Sequence, residues 1–143
     1  MFVKQISVFI ENRPGRLAGI TKVLGENNID LIALSIGDTT DFGILRAIVN
    51  KNEEALAVAR EAGYTASLTE VLAVAVPDKP GGLDQVLYML NDANIAIEYL
   101  YSFVRRVGSD AVIIFRVDQP QKAYEVLNAA QVKLLTQEQI AQC

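Results

Sequence analysis

Histidine is absent from the 143 residues, and cysteine occurs once, as Cys143. Proteins bind zinc and copper mainly through these two residue types, and histidine is also the commonest general base. No loop has the alternating acidic residues of a calcium site. We therefore expect no metal, no other cofactor and no catalysis that depends on histidine. A lone cysteine forms no internal disulfide, which suits a reducing compartment.

Long apolar runs and an excess of basic residues are also missing. No segment approaches the roughly 18 consecutive apolar residues of a membrane span, and the first residues lack the apolar stretch of a signal peptide. The chain has 13 Lys and Arg against 17 Asp and Glu, a net charge of −4, which opposes binding to the phosphate backbone of nucleic acids. We expect a cytoplasmic protein with neither a membrane nor a nucleic acid as partner.

One short pattern occurs twice in the chain. The segment "ENRPGRL" (11–17) is followed 66 positions later by "PDKPGGL" (77–83), each directly after a run of alternating apolar residues. Such self-similarity indicates duplication, and we predict two modules, 1–70 and 71–143. At this offset the identical pairs are Val8/Val74, Pro14/Pro80, Gly15/Gly81, Leu17/Leu83, Leu24/Leu90, Asn28/Asn94, Ile29/Ile95 and Leu34/Leu100.

Each copy has the same predicted order of elements, β-α-β-β-α-β. Strand periodicity at 6–10 is followed by helical spacing at Leu17, Ile20 and Leu24, and the second copy repeats this from 71–76 into 83–94. In the first copy, two strands (29–36 and 42–50), a helix (53–63) and a weaker strand (64–70) complete the module. In the second copy, strands are predicted at 95–104, 111–117 and 132–135, with a helix at 120–130. This order predicts an α+β fold of two ferredoxin-like modules, with antiparallel sheets side by side and the helices on one face.

The turn after the first strand is the best candidate for a binding site. Pro14 fixes φ and Gly15 permits a positive φ, so the amides that begin the helix at Arg16 and Leu17 can face an anion such as a carboxylate. Asn12 adds a side-chain amide, and Asp30 is placed to accept a bond from an ammonium group. The alternative is an ordinary strand-to-helix turn without a ligand, since such turns are common.

The segments "ISVFIENRPGRLAGITKVLGENNIDLIALSI" and "LAVAVPDKPGGLDQVLYMLNDANIAIEYL" resemble the ACT domain, a small-molecule regulatory module of amino-acid biosynthetic enzymes. The resemblance covers the whole chain as a tandem pair and implies an amino acid bound at an interface between two ACT modules. It places the family's loop asparagine, glycine and strand-entry polar residue at Asn12, Gly15 and Asp30. The implied site comprises Asn12, Arg13, Pro14, Gly15, Arg16, Leu17 and Asp30.

The second copy departs from this pattern. Asp78 and Ala96 occupy the places of Asn12 and Asp30, so the resemblance implies only a weaker site there, at Asp78, Gly81 and Leu83. Where some members of the family carry histidine before the first loop, this chain has Ile10, so any contact with a ligand there is apolar.

Two further features of the second copy have both structural and functional interpretations. Tyr99, Tyr101 and Phe103 alternate along a strand, an arrangement more typical of a core or an interface than of a ligand site. Arg105 and Arg106 lie in a predicted hairpin turn, where a solvated pair of charges is the simpler interpretation.

The leading hypothesis is a non-catalytic, amino-acid-binding regulatory protein that forms a homodimer. Nucleophile and base are not paired anywhere in the sequence, which argues against an enzyme. The alternative is an interaction module without a ligand that docks on a metabolic enzyme.

Overall fold

The computed structural model describes residues 2–38, 42–103 and 108–142. It divides into two compact units: the first is Lys4–Thr69, and the second is Glu70–Cys143 together with Met1–Val3. The described residues contain seven strands and five helices. The segment "GDTTD" (37–41) indicates a turn from its composition, and its residues 39–41 lie outside the described residues, as do Arg105, Arg106 and Cys143.

The first unit is a four-stranded sheet with two helices. Its strand order is β2-β3-β1-β4, and β3 runs antiparallel to both β1 and β2. Its elements are β1 (Val3–Glu11), α1 (Arg16–Glu26), β2 (Leu31–Asp38), β3 (Phe42–Val49), α2 (Asn52–Glu61) and the beginning of β4 (Thr65–Pro77).

The hydrophobic pattern of these elements explains how they pack. Side chains alternate between the two faces of a strand, and from Ile6 to Ile10 every second residue of β1 is buried in one core with residues of both helices. In α1 the buried pair is spaced by four residues, which places both side chains on one helix face. The helices therefore cover the same face of the sheet. The residues of this core include Ile6, Val8 and Ile10 of β1, Ile20 and Leu24 of α1, and Ala55 and Ala59 of α2.

The second unit repeats this arrangement. β6 runs antiparallel to β4 and β5, and β7 pairs with β4. Alternate residues of β4 and β6 form a core with α3 and α4, as in the first unit. Its further elements are α3 (Gly82–Asp92), β5 (Ile97–Ser102), β6 (Asp110–Val117), α4 (Pro120–Ala129), β7 (Lys133–Leu134) and α5 (Gln137–Ala141).

Backbone geometry repeats at the positions that the sequence repeat pairs. Gly15 and Gly81 precede α1 and α3 with φ of 90° and 85°, and Asn28 and Asn94 follow those helices with φ of 57° each. Positive φ is easy for glycine and tolerated by asparagine, so identical residues are found where the chain makes identical turns. The predicted α+β fold of ferredoxin-like modules is confirmed.

Three details differ from the sequence prediction. Residues 65–77 form one strand, β4, where two consecutive strands were predicted, because no Gly or Pro interrupts the segment before Pro77. The predicted strand at 132–135 is only two residues long as β7. Helix α5 was not predicted, although its start carries a readable signal, the capping box of Thr136 and Gln139.

The aromatic stripe of the second unit is part of the structure's interior. Tyr101 and Phe103 are buried and Tyr99 is half-buried, with Tyr101 opposite Ile114 of β6. This agrees with the core interpretation of the stripe. Among the helices of the described residues, none has the length and apolar character needed to cross a bilayer.

Candidate functional site

The loop between β1 and α1 is the centre of the candidate site. Gly15 adopts the left-handed conformation immediately before α1, and no side chain caps this helix end by a hydrogen bond. A Cβ atom placed on Gly15 would meet nothing within 4 Å. Space is therefore available there, and it is the positive φ alone that disfavours a side chain at this position.

The backbone bonds of the loop determine which amides remain available. The N–H of Arg13 donates to the carbonyl oxygen of Glu11 at 2.8 Å, and the N–H of Arg16 donates to that of Arg13 at 3.3 Å. Within the described part of the chain, the N–H groups of Leu17 and Ala18 have no acceptor. Such first-turn amides, at the positive end of the helix dipole, attract anions. Of the two amides that the sequence suggested, that of Leu17 is thus available and that of Arg16 is not, and Ala18 supplies a further one.

A surface cavity of about 230 Å³ lies beside this loop. Its apolar part comes from the end of β1, the first turn of α1 and the edge strand β2, while Gly43 of β3 lies opposite Ile10 and adds no side chain. Its polar part is the consecutive run at the end of β1. The cavity is lined by Ile10, Glu11, Asn12, Arg13, Leu17, Ile36 and Gly43.

The two charges of the lining neutralise each other. A guanidinium nitrogen of Arg13 lies 2.6 Å from a carboxylate oxygen of Glu11, and both side chains are largely exposed to solvent. Exposed ion pairs contribute little free energy, typically about 0 to 1 kcal/mol. Either partner can therefore exchange its contact for one with a ligand at small cost.

Arg16 points to a different neighbour from the other loop residues. Its guanidinium carbon lies 4.4 Å from the centroid of the Tyr64 ring, and the Tyr64 hydroxyl donates to the Arg16 carbonyl oxygen at 3.0 Å. This contact ties the first turn of α1 to the start of β4. Arg16 therefore positions the helix end and does not line the cavity.

Asp30 lies at the opposite end of the sheet from the cavity. Leu31 at the start of β2 is opposite Val49, whereas Asp38 at its end is opposite Gly43 beside the cavity. Eight residues of strand span about 26 Å. The backbone N–H of Asp30 donates to the side-chain oxygen of Asn50 at 2.9 Å. Within one module, Asp30 and the loop around Gly15 therefore do not share a site.

The loop of the second unit has the same backbone frame but less room. The N–H of Lys79 donates to the Pro77 carbonyl at 2.9 Å, and that of Gly82 donates to Lys79 at 3.0 Å, matching the first loop. Gly82 occupies the place of Arg16, and a Cβ there would collide with the Pro77 carbonyl oxygen. The helix start is thus packed directly onto the loop. Asp78 and Gly81 are exposed, and Leu83 is half-buried.

Sequence reasoning found one face of the cavity and missed the other. Asn12, Arg13 and Leu17 line it as expected, and Ile10 supplies an apolar contact. Pro14 and Gly15 shape the loop without lining the cavity. Glu11, Ile36 and Gly43 were not singled out, because β2 and β3 reach the loop only through strand register. Their positions in the sequence do not indicate that Ile36 and Gly43 lie close to the loop.

The chain was also compared with known proteins. No curated protein matches it. The solved structure of a protein from Bacteroides thetaiotaomicron is 36% identical with a TM-score of 0.93, over 100% of this chain and 98% of that one. The ligand-free regulatory subunit of aspartate kinase from Thermus thermophilus is 19% identical with a TM-score of 0.61, over 89% and 91% of the two chains.

Aspartate kinase from Synechocystis has the same fold in part of its length. Its match covers 93% of this chain but 26% of the kinase, with 18% identity and a TM-score of 0.56. The profile of the ACT domain pair family matches residues 1–143. This chain therefore belongs to the ACT domain pair family.

Proposed function

We propose that this protein is a non-catalytic regulator that binds a free amino acid in the cavity beside the first loop. Two findings support the proposal: the chain is an ACT domain pair, and the ligand-free regulatory subunit of aspartate kinase has the same fold. The observation that carries it is the cavity of about 230 Å³ next to the amides that begin α1. This volume is below the roughly 300 Å³ of the smallest drug-sized pockets, which suits a single small metabolite.

The chemistry of the lining matches the two charged groups of an amino acid. The ligand's carboxylate accepts hydrogen bonds from the N–H groups of Leu17 and Ala18, where the helix dipole adds to the attraction. Its ammonium donates to the carboxylate of Glu11. In the structure without a ligand, this carboxylate forms an ion pair with Arg13. Asp30 reaches such a ligand only from another copy of the module.

The proposal is tested by calorimetric titration of the full chain with each of the twenty amino acids, using Gly15→Val. A β-branched residue at φ 90° is strained by about 1 to 3 kcal/mol, so the loop changes shape and binding falls at least about tenfold. The matched control is Gly81→Val, which has the same kind of strain at φ 85° in the loop of the second unit. Loss of binding in both variants, or in neither, contradicts the site.

We further propose that the protein forms a homodimer through the exposed aromatic pair Phe9 and Phe42. These side chains are 44% and 45% exposed, on adjacent strands, with ring centroids 4.9 Å apart. Phe42 is opposite Glu11, so a second copy seated on the pair would adjoin the cavity. Sedimentation equilibrium should give twice the mass of one chain, and Phe9→Ser should shift it to the monomer.

The same aromatic pair supports a second candidate function, docking on a metabolic enzyme without any ligand. The two candidates differ in their response to metabolites. A sensor is stabilised as the ligand concentration rises, by about 2.7 kcal/mol at one hundred times the Kd. A docking module without a ligand gives the same unfolding temperature with every amino acid, and Phe9→Ser leaves its mass that of a monomer.

A further inference from the structure

We propose that the cavity selects amino acids with an uncharged, apolar side chain, and that Ile36 is the residue that sets this preference. This inference rests on the proposed function and specifies the class of ligand. It follows from the composition of the walls and from the balance of charge around them.

The wall away from the loop is apolar throughout. Ile10 is buried, Leu17 and Ile36 are about two-fifths exposed, and Gly43 adds no polar side chain. These residues come from four different elements, β1, α1, β2 and β3, so a group that extends from the loop into the cavity meets apolar surface on more than one side. A charged group placed there loses hydration without gaining a partner, which is costly.

The polar wall offers a ligand side chain little charge beyond one ion pair. Among the lining residues that the structure describes, Glu11 and Arg13 alone are charged, and they form a pair at 2.6 Å. A zwitterionic amino acid uses the Glu11 carboxylate for its ammonium and the helix amides for its carboxylate. A third charge on the ligand would then have to compete with the Glu11–Arg13 pair or lose hydration at the apolar wall.

Ile36 is the wall residue best suited to control selectivity. It lies on the edge strand β2 and projects on the same face as Leu45 of the core, because the two are opposite each other in the register. It is 43% exposed, so part of its side chain is open to a ligand. Leu34, two residues earlier on the same strand and face, is also 43% exposed but does not line the cavity.

The first experiment is calorimetry of the full chain with L-leucine, L-phenylalanine, L-lysine, L-aspartate and L-glutamate. We expect the apolar amino acids to bind at least about tenfold more tightly than the three charged ones. Leucine without its ammonium (4-methylpentanoate) and leucine without its carboxylate (3-methylbutylamine) should each bind more weakly than leucine by a similar factor.

The second experiment compares Ile36→Lys with Leu34→Lys. Both variants add one positive charge to the same face of β2, but only the first adds it to the cavity. The measured quantity is the ratio of the Kd values for L-leucine and L-glutamate. A general effect on folding or assembly changes the two Kd values by the same factor and leaves their ratio unchanged. We expect Ile36→Lys to shift this ratio at least about tenfold towards glutamate and Leu34→Lys to shift it less than about twofold.

The outcomes separate this inference from the proposed function. If a charged amino acid binds the unmodified protein as tightly as leucine, or if both lysine variants shift the ratio equally, the inference is wrong while amino-acid binding stands. If none of the twenty amino acids gives heat or raises the unfolding temperature, both are wrong.

Discussion

A single contact between two side chains holds the start of α1 in place. Tyr64 donates its hydroxyl hydrogen to the Arg16 carbonyl, and the Arg16 guanidinium lies over the Tyr64 ring. Gly19 makes room for this contact, because a Cβ there would be 2.6 Å from the Tyr64 hydroxyl oxygen. The glycine of α1 nearest the site is thus explained by packing against a tyrosine and not by backbone conformation.

This contact predicts opposite effects for two glycine substitutions in the same helix. Gly25→Ala meets no neighbour within 4 Å and should raise the free energy of unfolding by about 0.5 to 1 kcal/mol through better helix propensity. Gly19→Ala should lower it, because displacing Tyr64 loses a hydrogen bond worth about 1 kcal/mol and part of the cation–π contact. Urea unfolding of the two variants measures the difference.

A double variant checks the cause. Tyr64→Phe removes the hydroxyl, so Gly19→Ala should cost less in that background than in the unmodified protein. Equal stabilisation by both alanine substitutions would contradict the role given to Gly19.

The sequence predicted some residue roles and not others, for physical reasons. Gly15 and Gly81 were identifiable because a positive φ restricts the residue type at a turn. Asp30 stays a prediction: within one module it lies far from the loop, and its chemical suitability for an ammonium gives no information about that distance. Ile36 was missed because its approach to the loop depends on the pairing of β2 with β3.

At the scale of elements, the β1–α1 and β4–α3 loops share a backbone conformation but differ in the residue that begins the helix. Both loops make the same backbone hydrogen bonds, yet the residue that opens the helix is Arg16 in one and Gly82 in the other. Without a side chain, Gly82 packs directly onto the Pro77 carbonyl. Duplication therefore preserved the backbone of the loop, while the residue that begins the helix and its packing differ.

Helix α5 depends on its cap and on one buried side chain. Five residues are too few for an isolated helix, but Thr136 accepts a bond from the Gln139 N–H and Ile140 is fully buried. Thr136→Ala should destabilise α5 by about 1 kcal/mol, and Thr136→Ser, which keeps the hydroxyl, by much less. Hydrogen exchange of the α5 amides measures both. Identical protection in the two variants would show that the cap contributes nothing.

Periodicity predicted the longer elements well because alternation and helical spacing follow directly from burial on one face. Strands β1, β3 and β6 and all four longer helices were found in this way. The short elements depend on single interactions instead. β7 is limited to the two residues that pair with Val74 and Ala75. The capping box indicates where α5 begins, but this short motif is a specific signal only once the preceding strand is known.

At the scale of the whole molecule, the proposed site belongs to only one of the two repeated modules. The first has an open loop beside a cavity with apolar walls, and the second has a loop packed onto its own carbonyl. We therefore expect one amino acid to bind per chain. A calorimetric stoichiometry of two per chain, with Gly81→Val removing one of them, would show that the second loop is also a site.

Binding of an amino acid at the start of α1 can be observed by amide NMR of the full chain during titration with L-leucine. We expect the Leu17 and Ala18 amide signals to shift with saturation, while those of Leu83 and Asp84, at the matching positions of the second unit, do not shift. Saturable shifts confined to the second set, or shifts in neither set despite heat of binding, would contradict it.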